Sequence, residues 1–173
     1  MVAIYRYLKV AIVFLVSFGS SLSLFSQKVK IIENRSDYII YDQKKGPNVK
    51  KLMGNVAFQD STTSMFCDSA YFYDNQDIDA FGNVRIYPDQ GNTKLTGKVV
   101  HYKAETRIAD IKEDVVLVDE KATLKTAAIY YDMNSSVGYY PSKGVITSEK
   151  NIIVSKSGAY NKNLRTFFFK DSV

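Results

Sequence analysis

Few residues in this chain are equipped for chemistry. The 173 residues include one histidine, His101, and one cysteine, Cys67. A catalytic triad would need an acid and a nucleophile beside His101. Asp68, on an aligned segment one repeat earlier, is the acid that repetition could bring near it. The simpler reading is a packed or exposed histidine. Cys67 cannot form an internal disulfide, and no zinc-type spacing surrounds it, so it reads as a small residue on a strand. Asp60, Asp68, Asp74, Asp77, Asp79, Asp89, Asp110, Asp114 and Asp119 are scattered over predicted turns and strand ends. A stack of strands would bring some of them within the ~5–10 Å used by glycosidase carboxylates, but no acidic pair repeats. No phosphate loop, zinc motif or dinucleotide fingerprint is present. The chain reads as a non-enzyme, with no cofactor and no metal.

The elements that carry these residues repeat. The segments 66–73, 95–102, 124–131 and 153–160 align without gaps, each opening on an apolar residue and closing on tyrosine, and every step is 29 residues. Between them stand Gly54-Asn55-Val56 and Gly82-Asn83-Val84, with Glu113-Asp114-Val115 and Lys143-Gly144-Val145 in the same place. Asp171-Ser172-Val173 looks like a fifth such start. Each unit is predicted to be two strands, one beginning at the Gly-Asn-Val position and its partner ending at the repeated tyrosine. Polar clusters such as 60–63, 88–92, 119–121 and 148–151 supply the turns. No sustained 3.6-residue periodicity appears after residue 30, so no helix is expected.

Side-chain alternation gives each strand one apolar face. Phe66, Ala70 and Phe72 share a parity, as do Leu95, Val99 and His101, and Leu124, Ala128 and Tyr130. Val56 and Phe58, Val84 and Ile86, and Val115 and Leu117 add the partner strands to a single apolar wall. Alternation does not assign the closing tyrosines to a face. Units of this length cannot bury such a wall alone and must stack on neighbours. The pattern breaks off at the start of another unit, so the stack is expected to continue past residue 173 or onto another chain.

Apolar residues make up 46% of the sequence, and the 13 Tyr and 10 Phe favour strands. The net charge is +5, two of those charges being Arg6 and Lys9. With no Lys/Arg run in what remains, nucleic acid is not an expected partner. Residues 1–26 follow the plan of a secretory signal: Arg6 and Lys9, then the apolar run Val10–Phe18, then a small and polar cleavage region. The run is shorter than the ~20 residues of a membrane span. Cleavage would leave Gln27 as the mature start of a 27–173 domain in the periplasm, with a retained anchor as the alternative. The cleavage region has no cysteine for a lipoprotein anchor.

The interleaved Gly-Asn-Val positions, Ala80 before the second of them, and the 66–73, 95–102 and 124–131 strands resemble the OstA-like, LptA-type lipopolysaccharide-transport family. Its members are the periplasmic bridge protein and the amino-terminal domain of its outer-membrane partner. The third and fourth units depart from the pattern, with Glu113-Asp114 and Lys143-Gly144 for Gly-Asn. The resemblance implies an all-β fold: a twisted, open β-jellyroll, solenoid-like in its stacking, whose apolar inside holds lipid acyl chains. It also implies end-to-end stacking with other Lpt jellyroll components or with copies of itself. On that reading the lipid groove comprises Val56, Phe58, Phe66, Ala70, Phe72, Val84, Ile86, Leu95, Val99, Val115, Leu117, Leu124 and Ala128. Lys98, Lys103, Arg107, Lys112 and Lys121 would meet headgroup phosphates at its rim, or stand as ordinary solvated charges. The expected function is carriage of lipopolysaccharide between the membranes, with association with the outer one as the alternative placement. The rivals are a structural β-solenoid or adhesin module with a filled core, and a carbohydrate-active β-helix. A closed solenoid would stack identical residues, whereas Asp68, Gly97, Thr126 and Ser155 do not match.

Overall fold

A computed structural model describes residues 30–31, 35–60, 62–88, 91–120 and 122–172. The secretion signal assigned to 1–26 lies outside the described residues, as do Asp89 and Lys121.

The described residues form strands and turns and contain no helix. The strands are β1 (Lys30–Ile31), β2 (Tyr38–Tyr41), β3 (Lys50–Gln59), β4 (Ser64–Phe72), β5 (Ile78–Tyr87), β6 (Lys94–Lys103), β7 (Ile108–Asp119), β8 (Ala122–Asp132), β9 (Val137–Tyr140), β10 (Gly144–Ser148), β11 (Ile152–Asn161) and β12 (Thr166–Ser172). All belong to one sheet, antiparallel at every pairing, in which β3 to β8 follow chain order. β9 and β10 share one lane between β8 and β11. Pro141 lies between them, where a residue without an N–H interrupts the ladder.

The Gly-Asn-Val tripeptides are not strand starts. β5 begins four residues before Gly82, and β3 likewise runs on both sides of Gly54. Gly54-Asn55, Gly82-Asn83 and Glu113-Asp114 all have positive φ and sit at mid-strand irregularities in the pairing. Each places an extra residue opposite its partner strand, and such bulges bend the strand. A Cβ on Gly82 would lie 2.4 Å from Asp68 Oδ2, so glycine serves both the backbone angle and the close approach. Asn83 Nδ2 donates to that same carboxylate at 2.8 Å. In the next bend Lys98 and Asp114 form the corresponding cross-strand contact at 2.5 Å.

These bends follow one rule. Inward residues flanking the bend are four apart on one strand of each unit, Leu52 and Val56, Ala80 and Val84, Ile111 and Val115, and in the shared β9–β10 lane, Tyr140 and Gly144. They are three apart on its partner: Cys67 and Ala70, Gly97 and Val100, Thr126 and Ile129, Ser155 and Gly158. A spacing of three inverts the parity that simple alternation would carry through the strand. Both arms of every bent strand thus bury side chains on the same inside. The core contains fully buried Leu52, Phe58, Ile86, Leu95, Leu117 and Leu124 among others, each worth ~1.5–3 kcal/mol relative to exposure.

Bending brings the ends of the strands together. One row of turns follows β3, β5 and β7, and a second follows β4, β6, β8 and β11. Neighbouring turns within a row are bonded: Asn92 Nδ2 to Glu120 Oε1 at 2.8 Å in the first, Asn134 Nδ2 to the Thr106 carbonyl at 3.1 Å in the second. Side chains also bridge the two rows. Arg107 Nη2 reaches Asp60 Oδ2 at 3.0 Å, Arg165 Nη1 reaches Glu120 Oε2 at 2.7 Å, and the Tyr160 hydroxyl donates to Asp119. The inside is therefore bounded by continuous bent strands on one side and by a polar seam on the other.

Candidate functional site

The inner layer is built of cross-strand rows. Phe58, Met65, Ile86, Leu95, Leu117, Leu124, Ile146 and Ile153 form an unbroken register across β3 to β11 in one arm. Leu52, Ala70, Ala80, Val100, Ile111 and Ile129 form the matching row in the other arm. Facing apolar pairs of this kind are the unit of sheet stabilisation.

The residues assigned to the wall divide accordingly. Val56, Phe58, Ala70, Val84, Ile86, Leu95, Val115, Leu117 and Leu124 are buried in the inner layer, and Phe72 packs against it. Phe66, Val99 and Ala128 lie on the opposite face, as do His101 and Tyr130. Val99, Ala128, His101 and Tyr130 follow the bend where parity inverts, so their inward counterparts are Val100, Ile129, Tyr102 and Tyr131. Phe66 is displaced for a second reason. Register pairs Met65, not Phe66, with Ile86 and through it with Leu95, so the first repeat step is 30 residues. Phe66 packs edge-on against Tyr87 on the outer face instead. The small corner residues that align structurally are Cys67, Gly97, Thr126 and Ser155, each on the inside of a bend.

Three of the repeated tyrosines face inward. Tyr102, Tyr131 and Tyr160 are buried at the seam end of their strands. Burial pushes the Tyr131 phenol up to about 12. It also raises Tyr160, further helped by its bond to Asp119. Tyr73 is displaced by the 30-residue step, and Phe72 occupies the inward place. Tyr73 donates instead to Asp79 Oδ2 at 2.7 Å.

The inside is tightly filled. A cavity of about 20 Å³ lies between Phe58, Asp60, Thr63, Met65, Tyr102 and Met133, and Asp60 in its lining also pairs with Arg107. The cavity has room for about one water. A larger depression of about 960 Å³ lies on the outer side of the bends, where Lys112, Lys125 and Lys143 share the lining with Glu113 and Asp114.

The chemistry-bearing residues have structural partners. His101 Nδ1 is 2.7 Å from Asp79 Oδ1, its cross-strand neighbour, and Asp68 is engaged with Asn83. Asp74 accepts from Asn48 Nδ2 at 2.9 Å. Cys67 is buried, and burial raises its thiol to about 12, which keeps it unreactive. Of the rim cations, Lys98 pairs with Asp114, Lys103 with Asp77, Arg107 with Asp60 and Lys112 with Asp110. Among the described residues no group of three or more His, Cys, Asp or Glu could hold a metal ion.

No curated protein matches the chain in sequence. Among solved structures it is similar to LptH of Pseudomonas aeruginosa, described as the LptA-homologous periplasmic component of the conserved lipopolysaccharide transport device. The TM-score is 0.53 at 17% identity, over 65% of this chain and 81% of that one. That likeness shows the jellyroll fold. A model of the OstA-like protein family matches residues 27–173. The chain belongs to the OstA-like family.

Proposed function

We propose that this protein holds lipid acyl chains in its inner layer and works in the periplasm as a bridge component of lipopolysaccharide transport. The observation that carries the reading is the unbroken apolar register from Phe58 to Ile153, which offers one continuous path along the stack. An acyl chain moved from water into such a layer gains ~0.8 kcal/mol per methylene. Family membership and the stated role of LptH support the choice of lipid. The work is binding and relay, and direction would come from a partner.

The ends of the stack suit end-to-end assembly with similar domains. Tyr38, Ile39, Ile40 and Tyr41 of β2 are all exposed at one end, and Phe168 and Phe169 of β12 at the other. Sheet edges bearing exposed apolar side chains are ready templates for another strand.

Photocrosslinking tests the reading. A benzophenone side chain in place of Phe72, Val100 or Leu117 is expected to give lipid A adducts at all three positions. Adducts elsewhere and none at these three would refute it, and would favour the structural stack that the filled interior also resembles.

A further inference from the structure

An antiparallel sheet with one face on a core commonly turns a polar face to water. The arm that buries Leu52, Ala70, Ala80 and Val100 departs from this at its first strands. Tyr38, Met53, Ser69, Phe81 and Val99 form one outward cross-strand row over β2 to β6, and Ile40, Lys51 and Tyr71 form the row beside it. Tyr38 and Ile40 are 69% and 48% exposed, and Met53, Tyr71, Phe81 and Val99 are half-buried. Phe81 stands edge-on to Tyr71, with ring centroids 6.3 Å apart. The sheet is therefore apolar on both faces here, and the inner layer covers only one of them. A contiguous apolar patch left on an outer face marks a binding surface.

The charge on this patch is positive and uncompensated. Lys45 Nζ lies 5.2 Å and Lys51 Nζ 5.7 Å from the centroid of the Tyr71 ring. An aromatic face attracts a cation without neutralising it. Among the described residues no carboxylate pairs with either lysine, whereas Lys98, Lys103 and Lys112 each have one. The carboxylates around the patch have other partners. Asp37 holds Asn55 at 3.2 Å, Asp68 holds Asn83 at 2.8 Å, and Asp79 meets Tyr73 and His101, both at 2.7 Å.

Apolar side chains, tyrosines and lysines together suit a membrane interface. Tyrosine rings settle at the headgroup level, apolar body inward and hydroxyl outward. Lysine lays its stem along apolar surface and keeps its charge among the headgroups, where anionic phosphates attract it. Both arms bury the same inside, so their outer faces look away from each other and a flat bilayer meets only one of them. On the other arm the depression outside the bends mixes its lysines with Glu113 and Asp114, which suits an anionic surface less well.

We propose that the outer face of β2 to β6 in this arm docks on an anionic phospholipid surface, with Tyr38, Ile40, Tyr71 and Phe81 at the headgroup boundary and Lys45 and Lys51 on phosphates. The inference is independent of the acyl-chain reading, because it uses the opposite face of the sheet.

The test is co-sedimentation with vesicles of phosphatidylethanolamine and phosphatidylglycerol, against vesicles of phosphatidylcholine alone. Binding is expected on the anionic vesicles and should weaken as salt is added. Lys45→Glu with Lys51→Glu is expected to lower affinity by on the order of tenfold or more. Lys125→Glu with Lys143→Glu makes the same charge change in the depression outside the bends and is expected to alter it little. Unchanged thermal unfolding separates lost docking from lost folding. The chain has no tryptophan, so a single introduced one reports its own surroundings. Tyr38→Trp is expected to shift its emission to the blue on vesicles and to be quenched by brominated lipid. Tyr87→Trp, on the outer face of the other arm, is expected to do neither.

No binding to the anionic vesicles at low salt, equal losses in the two charge variants, or a Tyr38→Trp emission that vesicles leave unshifted would each overturn the proposal. Binding of polyglutamate in place of vesicles, abolished by Lys45→Glu with Lys51→Glu, would overturn it in favour of an acidic protein partner. Lipid A photoadducts at position 100 report on the inner layer separately and are expected to persist in both charge variants.

Discussion

Arg107 and Asp60 are 47 residues apart in sequence, and their side chains meet at 3.0 Å across the two rows of turns. The pair ties the turn after β6 to the turn after β3, so it reports whether the two arms of the jellyroll are closed. Without Arg107 the Asp60 carboxylate keeps the N–H bonds of Thr62 and Thr63, at 2.8 and 2.6 Å, so what is lost is a charge-assisted hydrogen bond. Arg107→Ala is expected to cost about 1.5–3 kcal/mol, read as a lower urea midpoint. Asp60→Asn combined with Arg107→Gln should cost distinctly less than the two single changes together. Additive losses would mean that the residues do not act as a pair.

Gly97 lies on the inside of a bend, where an added Cβ would come within 2.6 Å of Ile111 Cγ2. Strand propensity alone favours valine there. Crowding predicts the opposite: Gly97→Val should destabilise by about 1–3 kcal/mol. A raised melting temperature would show that the corner has slack.

Glu113 occupies a left-handed position, φ 63°, where the first two units have glycine. A side chain there costs about 1–2 kcal/mol. Glu113→Gly should therefore stabilise the protein by about 1 kcal/mol, visible as a shift of a few degrees in thermal unfolding. Loss of stability would assign Glu113 a contact that outweighs its backbone strain.

Stability should fall at both extremes of pH, for different reasons. Burial raises the Asp77 carboxyl, but hydrogen bonds from Lys103, the Ala104 N–H and Asn75 outweigh it and hold the group below the usual carboxylate range. A depressed folded value contributes stability above the unfolded value, about 3.9, that is lost as pH falls through the folded value. Asp77→Asn should lower stability at neutral pH and flatten this acid limb. The tyrosines act oppositely. Tyr131 is raised to about 12, so its contribution is complete below the unfolded value and disappears as pH rises through the folded one. An ultraviolet titration should show a tyrosine that ionises only with unfolding. Full ionisation of every tyrosine near pH 10 in folded protein would contradict the buried placement.

Much of this architecture is legible in the sequence. Regular spacing places the alternating antiparallel strands and most turns, although the Gly-Asn-Val positions lie inside strands and not at their starts; Val56, Val84 and Val115 are buried. What alternation misses is the bend. A spacing of three across Gly97 or Thr126 inverts parity, and nothing in the local residue types marks this on those strands. The signal lies on the partner strand, in Gly-Asn and Glu-Asp pairs whose left-handed backbone requires an extra residue. The seam is less legible still. Asp60, Asp119 and Arg107 read as ordinary turn charges until folding sets residues more than 40 apart against one another.

The central claim is that the inner layer holds acyl chains, and Val99 and Val100 test it most directly. They are adjacent in sequence and lie on opposite faces of β6, with Val100 fully buried. A photoreactive side chain at each, in otherwise identical protein incubated with lipid A, is expected to give adducts at position 100 and little or none at position 99. Equal labelling at both positions, or labelling at 99 alone, would contradict the account.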